Sequence, residues 1–202
     1  MIPNPIEWGV AGTPLKGHTE SGDTHLVRHF AGGALAAVID GLGHGSEAAQ
    51  AAREALACLE QKPAESVIVL LQQCHQHLQG APRSVVMTLA SFNFEDKTLT
   101  CAGVGNVDGY LVHSDRAAPW IEAVVPRRGL VGGRMPALRA SSHALRPGDM
   151  LVLATDGIRP GFEAELKREG APQEIADAIL RQHNLGTDDA LVLVVRYLGA
   201  QA

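Results

Sequence analysis

Cysteine is scarce in this chain of 202 residues, and the three present, Cys58, Cys74 and Cys101, form no CxxC pair. An odd, unpaired set argues against a disulfide framework and reads as reduced thiols in a cytoplasmic protein. No apolar run approaches the roughly 20 residues needed to span a bilayer. The opening "MIPNPIEWGV" lacks the basic and apolar regions of a secretory leader. Basic runs are missing too: with a net charge of −5 and a pI near 6.0 there is no electrostatic footprint for nucleic acid. Neither nucleic acid nor membrane is therefore expected as a partner. Internal repeats, low-complexity stretches and linkers are also lacking, so a single domain over residues 1–202 is the expectation.

What is present is an alternation of strand and helix signals. "IEWGVAGT", "THLVRHF" and the apolar "GALAAVID" read as strands. Ala48, Ala52, Ala55 and Leu59 then recur at helical spacing, with Ser46 as the expected cap. A second helix is predicted to about Gln79, with Val67, Leu71, Cys74 and Leu78 on one face. "SVVMTLASFNF" is apolar on both faces at its start and reads as a central strand. The turns "EDK" and "NVDG" predict an antiparallel meander through "TLTCAGVG" and "YLVHS". Ser114 to Met135 is the least regular part, a long surface loop with one short strand, "WIEAVV". "LRASSHALRPGDMLVLATDG" is predicted as a hairpin, "PQEIADAILRQH" as a helix and "DALVLVVRYL" as a buried last strand.

The carboxylates stand at the ends of these strands. Asp40 closes the run "ALAAVI", Asp156 follows "MLVLAT", and Asp188 and Asp189 precede "ALVLVV". If the last strand runs antiparallel to the other two, all of them share one rim of one sheet. Like charges within reach repel and raise each other's pKa, so either the strands are far apart or a cation neutralises them. An all-oxygen ligand set favours Mg²⁺ or Mn²⁺ over zinc. Glycine after a ligand aspartate, as at Gly41, would let a backbone carbonyl join the shell. Asp-Gly by itself is an ordinary turn dipeptide. Among the histidines His44 stands out, either as helix-start structure or as a group near the metal.

Taken in order, "SGDTH", "VIDGLGHGSEA", "CAGVGNVDGYLV", "LVLATDGI" and "GTDDALVLVV" resemble the metal-dependent serine/threonine phosphatases of the PPM, or type 2C, family. The "DGLGHG" form is similar to the SpoIIE-type branch, and the likeness runs from about Gly9 to Tyr197. The resemblance implies an α+β fold, a four-layer α/β/β/α sandwich with two central antiparallel sheets. It implies two ions, Mn²⁺ or Mg²⁺, with Asp40 bridging them, the Gly41 carbonyl on one, Asp156 and Asp188 on the other, and Asp23 acting through water. Asp40, Asp156 and Asp188 would thus be the catalytic set, serving direct hydrolysis by an activated water. No cysteine phosphoenzyme is expected, in keeping with the absence of a CxxxxxR loop.

Two departures from the family pattern stand out. In place of a phosphate-holding arginine before the first acidic motif there are Lys16 and His18, and Asn106 stands where eukaryotic members carry an aspartate. Lys16 and His44 are candidate substrate-binding residues. So are Arg127 and Arg128 in the glycine- and proline-rich segment Pro126–Pro136, which also holds Arg134. The compact form is most similar to stand-alone phosphatases of stressosome signalling, so phosphorylated STAS-domain proteins of the RsbS and RsbR type are the implied partners of a monomeric enzyme. The rival readings are a phosphatase of anti-anti-sigma factors or small phosphoesters, and a non-catalytic module that keeps the fold.

Overall fold

The structure, a computed structural model, describes residues 4–115 and 120–199. The predicted loop around Pro119 lies partly outside the described residues. Ten strands form two five-stranded antiparallel sheets. The first runs β2 (Asp23–Phe30), β3 (Gly33–Gly41), β4 (Val85–Asn93), β5 (Thr98–Val104) and β8 (Ser141–Ala144). The second runs β1 (Ile6–Thr13), β10 (Ala190–Tyr197), β9 (Met150–Ala154), β6 (Asp108–Val112) and β7 (Ile121–Val124). Helices α1 (Ser46–Gln61) and α2 (Val67–His77) cover the first sheet, and α3 (Pro172–His183) covers the second. This is the α+β four-layer sandwich that the resemblance implied.

Sequence chemistry explains the layering. β3 and β4 are buried on both faces, so they read as continuous apolar runs and sit inside the first sheet. The face of α1 carrying Ala48, Ala52, Ala55 and Leu59 is buried, and its small residues let the helix lie close to β2 and β3. In α2, Ser66 accepts a hydrogen bond from the Val69 N–H at 3.3 Å and caps the helix. Between the sheets, Val38, Val86, Leu99, Leu111, Leu153 and Leu193 form a dry layer. Each such side chain contributes about 1.5–3 kcal/mol by leaving water.

Three local expectations fail, each for a physical reason. Ser46 is the first residue of α1 and makes no capping hydrogen bond; Gly45 occupies the cap. The meander breaks at "NVDG": β5 stays in the first sheet while β6 crosses to the second. Val107 anchors that crossing, fully buried between the sheets with its carbonyl accepting from the Thr88 hydroxyl at 2.8 Å. "LRPGD" is likewise no hairpin, since β8 pairs with β5 and β9 with β10 and β6. Buried Asp149 accepts from the N–H groups of Arg146 (2.9 Å) and Ser114 (2.7 Å), so the segment becomes a corner between sheets.

Candidate active site

Asp23 opens β2 and is the register partner of Asp40 near the end of β3. Directly opposed residues on an antiparallel pair have Cβ atoms about 4.5–5.5 Å apart, where like charges destabilise. Next to them the Gly41 N–H donates to the Gly22 carbonyl at 3.0 Å. Asp156 lies just beyond the end of β9, and Asp188 and Asp189 just before β10. The rim is therefore shared by the facing ends of two sheets, where sequence alone suggested a single one. The stacking of the sheets brings all five carboxylates into mutual electrostatic reach.

Burial pushes the Asp40 carboxyl up to about 9, with added repulsion from Asp23, Asp156, Asp188 and Asp189. Burial also raises Asp23 to about 7, against the Thr155 hydrogen bond that favours its ionised form. Asp156 moves upward as well, chiefly through burial and then through Asp188. Among the described residues no arginine, lysine or histidine forms an ion pair with any of these five. The Asp40 carboxyl accepts no hydrogen bond from them either.

The other carboxylates are held in distinct ways. Asp189, only 3% exposed, accepts from the Leu15 N–H at 2.7 Å through one oxygen and from the Gly22 N–H at 2.6 Å through the other. Both of its oxygens thus fasten the loop before β2 to the start of β10. Asp188 is less buried and accepts a hydrogen bond from the Asp189 N–H at 2.8 Å. The Thr155 hydroxyl donates to Asp23 Oδ2 at 2.7 Å and accepts from the Leu191 N–H at 2.9 Å, so it ties Asp23 of one sheet to the ladder of the other. Asn106 Nδ2 donates to Asp156 Oδ2 at 2.6 Å.

The two Asp-Gly pairs at the rim have a packing reason. A Cβ at Gly41 would land on the Ala48 carbonyl of α1, and one at Gly157 on the Asp189 carbonyl. Glycine here lets α1 and the start of β10 close on the aspartates, a role the turn dipeptide did not announce. Thr155 is the residue that sequence reasoning missed. Its only signal was a hydroxyl at the end of an apolar strand, which must find partners once buried.

The remaining candidates fall in two places. Lys16, exposed, follows Leu15, whose N–H is held by Asp189. His44 follows the β3 end and packs against His18, ring centroids 4.6 Å apart, so the loops before β2 and after β3 meet. Arg127 and Arg128 are not in the aspartate cluster. They line a cleft at the β7 and β8 edges.

The donor set tests well against a hard divalent cation. It is all oxygen, crowded, partly buried and without a protein cation among the described residues. As placed, no group of three or more histidine, cysteine, aspartate or glutamate side chains among those residues is close enough together to hold a metal ion.

The sequence matches the Stage II sporulation protein E (SpoIIE) family over residues 31–198. The chain belongs to the SpoIIE family. It is 24% identical over 184 residues to the phosphoserine phosphatase RsbX of Bacillus subtilis (strain 168), covering 91% of this chain and 90% of that one. Among solved structures, one from a study of the bacterial stressosome as a modular system controlling secondary messenger signalling superposes with a TM-score of 0.87. It is 28% identical, covering 96% of this chain and 100% of that one. RsbX in complex with magnesium gives a TM-score of 0.83 at 23% identity, over 95% of each chain. The PP2C phosphatase domain of SpoIIE from Bacillus subtilis, with a fragment of its regulatory domain, gives 0.80 at 22% identity, over 98% of this chain and 64% of that one. This SpoIIE family member is a PPM-type serine/threonine phosphatase related to RsbX.

Proposed function

We propose that this chain is a divalent-metal-dependent phosphatase that removes phosphate from serine or threonine of STAS-domain stress-signalling proteins of the RsbS and RsbR type, acting in the cytoplasm. The observation that carries the metal-dependent reading is the convergence of Asp23, Asp40, Asp156 and Asp188 without a cationic partner among the described residues. The relation to RsbX and the likeness to a stressosome protein support the substrate class.

Asp40 and the Gly41 carbonyl would hold one Mn²⁺ or Mg²⁺, and Asp156 and Asp188 a second, with Asp40 shared and Asp23 reaching them through water. Bound there, the ions would supply charge stabilisation on the phosphoryl oxygens and acidify a water near neutral pH. The chain's own residues do the positioning. Thr155 fixes one oxygen of Asp23 and leaves the other without a hydrogen bond among the described residues. Asn106, a neutral amide, occupies one oxygen of Asp156, so it orients that carboxylate in place of adding another. Lys16 and His44, on adjoining exposed loops, supply the positive and hydrogen-bonding groups for the substrate phosphate.

The test is phosphate release from a serine-phosphorylated STAS protein. Activity is expected with Mn²⁺, lost in EDTA and restored by Mn²⁺. Full turnover in EDTA would overturn the metal reading. Turnover of a small phosphoester but not of the STAS protein would overturn the substrate class alone.

A further inference from the structure

Where β7 and β8 form the free edges of the two sheets, the sandwich opens into a cleft of about 850 Å³. Its volume is that of a site for a sizeable ligand. Part of its wall is apolar: Ala123, Val125, Ala137 and Ala140 are exposed, and Val125 at 79% is the most exposed of the large hydrophobic side chains described. The same lining holds three exposed guanidinium groups, Arg127, Arg128 and Arg139. Among the described residues none of the three has an ion pair or a side-chain hydrogen bond. In a protein of net charge −5, three arginines without an ion pair among the described residues around one cleft are a concentrated positive feature.

The cleft is also wired to the aspartates. The Arg127 N–H donates to the Gly103 carbonyl at 2.9 Å and its carbonyl accepts from Gly105 at 2.8 Å, so Arg127 runs parallel beside the end of β5. The next residue after Gly105 is Asn106, whose amide holds Asp156. At the other end Glu122 of β7 meets His143 of β8 at 2.7 Å and joins the two edges. The cleft thus opens between two strand edges that are fastened at that end and lead toward the catalytic rim.

We infer that this cleft docks an extended acidic segment of the phosphoprotein substrate, its carboxylates on Arg127, Arg128 and Arg139 and its apolar side chains against Val125. The inference rests on the protein-phosphatase reading above and adds to it where the substrate is gripped away from its phosphate. An extended segment fits because two free strand edges offer backbone pairing, and alternation of side chains sends one set to the arginines and the other to the wall. Arginine's rigid fork favours carboxylates held this way. Arg139 lies outside the Pro126–Pro136 segment that sequence alone pointed to, and Arg134 of that segment does not line the cleft.

The probe is a fluorescein-labelled twelve-residue peptide alternating Glu and Val, followed by anisotropy in EDTA, where no turnover is needed. The wild-type protein should bind it. Binding should weaken at least tenfold in the triple variant R127E/R128E/R139E and at least threefold in R139A alone, while R134A stays within twofold. It should also fade as salt rises. Thermal melting of each variant shows that it is folded, and R139A carries the test if the triple variant is not. Equal binding by wild type and a folded charge-reversed protein would overturn the inference, as would displacement of the peptide by equimolar inorganic phosphate. A steady-state comparison separates the two readings. Intact peptide binding with no turnover of the STAS protein removes the proposed substrate, whereas normal turnover with no peptide binding removes the cleft.

Discussion

Asp23 and Asp40 stand directly opposite each other across the β2–β3 ladder, two carboxylates where a strand pair would ordinarily place complementary side chains. Burial first, and repulsion from Asp23 second, make an ionised Asp40 costly in the metal-free fold, so it is held protonated there well above the ordinary carboxyl range. Asp40→Asn should therefore raise the Tm in EDTA near pH 8. The same variant should lose more activity with Mn²⁺ than the roughly 10–100-fold by which groups that only orient ligands act. Asp23→Asn should lose less than Asp40→Asn. Near-normal turnover by Asp40→Asn would contradict the site assignment.

Asp188 and Asp189 are neighbours with different employment. Asp189→Ala strands the buried N–H of Gly22 and the part-buried N–H of Leu15, each bonded to a charged acceptor, so it should destabilise by about 2–4 kcal/mol. Asp188→Ala should leave denaturant unfolding nearly unchanged and remove activity. Equal stability loss in both variants would show that the split is wrong.

Thr155→Val keeps shape and burial but removes the hydroxyl between Asp23 and the Leu191 N–H. The orphaned N–H should cost about 1–3 kcal/mol. Activity with Mn²⁺ should fall about 10–100-fold, with part of the loss recovered at higher Mn²⁺ because Asp23 is loosened, not removed. Thr155→Ser should restore both.

Glu122 bridges His113 (3.1 Å) and His143 (2.7 Å), and these contacts hold its carboxyl below the ordinary value of 4.5. A depressed carboxylate contributes stability above its unfolded pKa and loses it as pH falls through the folded value. Glu122→Gln should thus lower the Tm near neutral pH, and the gap to wild type should narrow as pH drops below about 4. A gap that widens in acid would assign the clamp to another group.

Much of this was legible beforehand. Strand-end aspartates are visible because an apolar run that stops on a carboxylate is chemically odd, and β3, β4 and β10 announced themselves as doubly buried. Sheet membership was not legible. β6 alternates as any antiparallel strand does, β8 is short, polar and mostly exposed, and the choice of sheet is made by distant contacts such as Thr88 to the Val107 carbonyl and Asp149 to Ser114. The arginine cleft escaped for the same reason, since Arg139 joins Arg127 only after β8 pairs with β5.

The position of β10 has a consequence for synthesis. This strand, the last in the fold, lies between β1 and β9, and among the described residues β1 has no other sheet neighbour. During synthesis β1 must wait for β10, and Asp188 and Asp189 are set only when β10 docks. Long-range pairing of this kind is slow to form. A nascent chain is then inactive until β10 has emerged, and one halted before Ala190 should show neither the near-ultraviolet signature of a packed core nor any phosphate release.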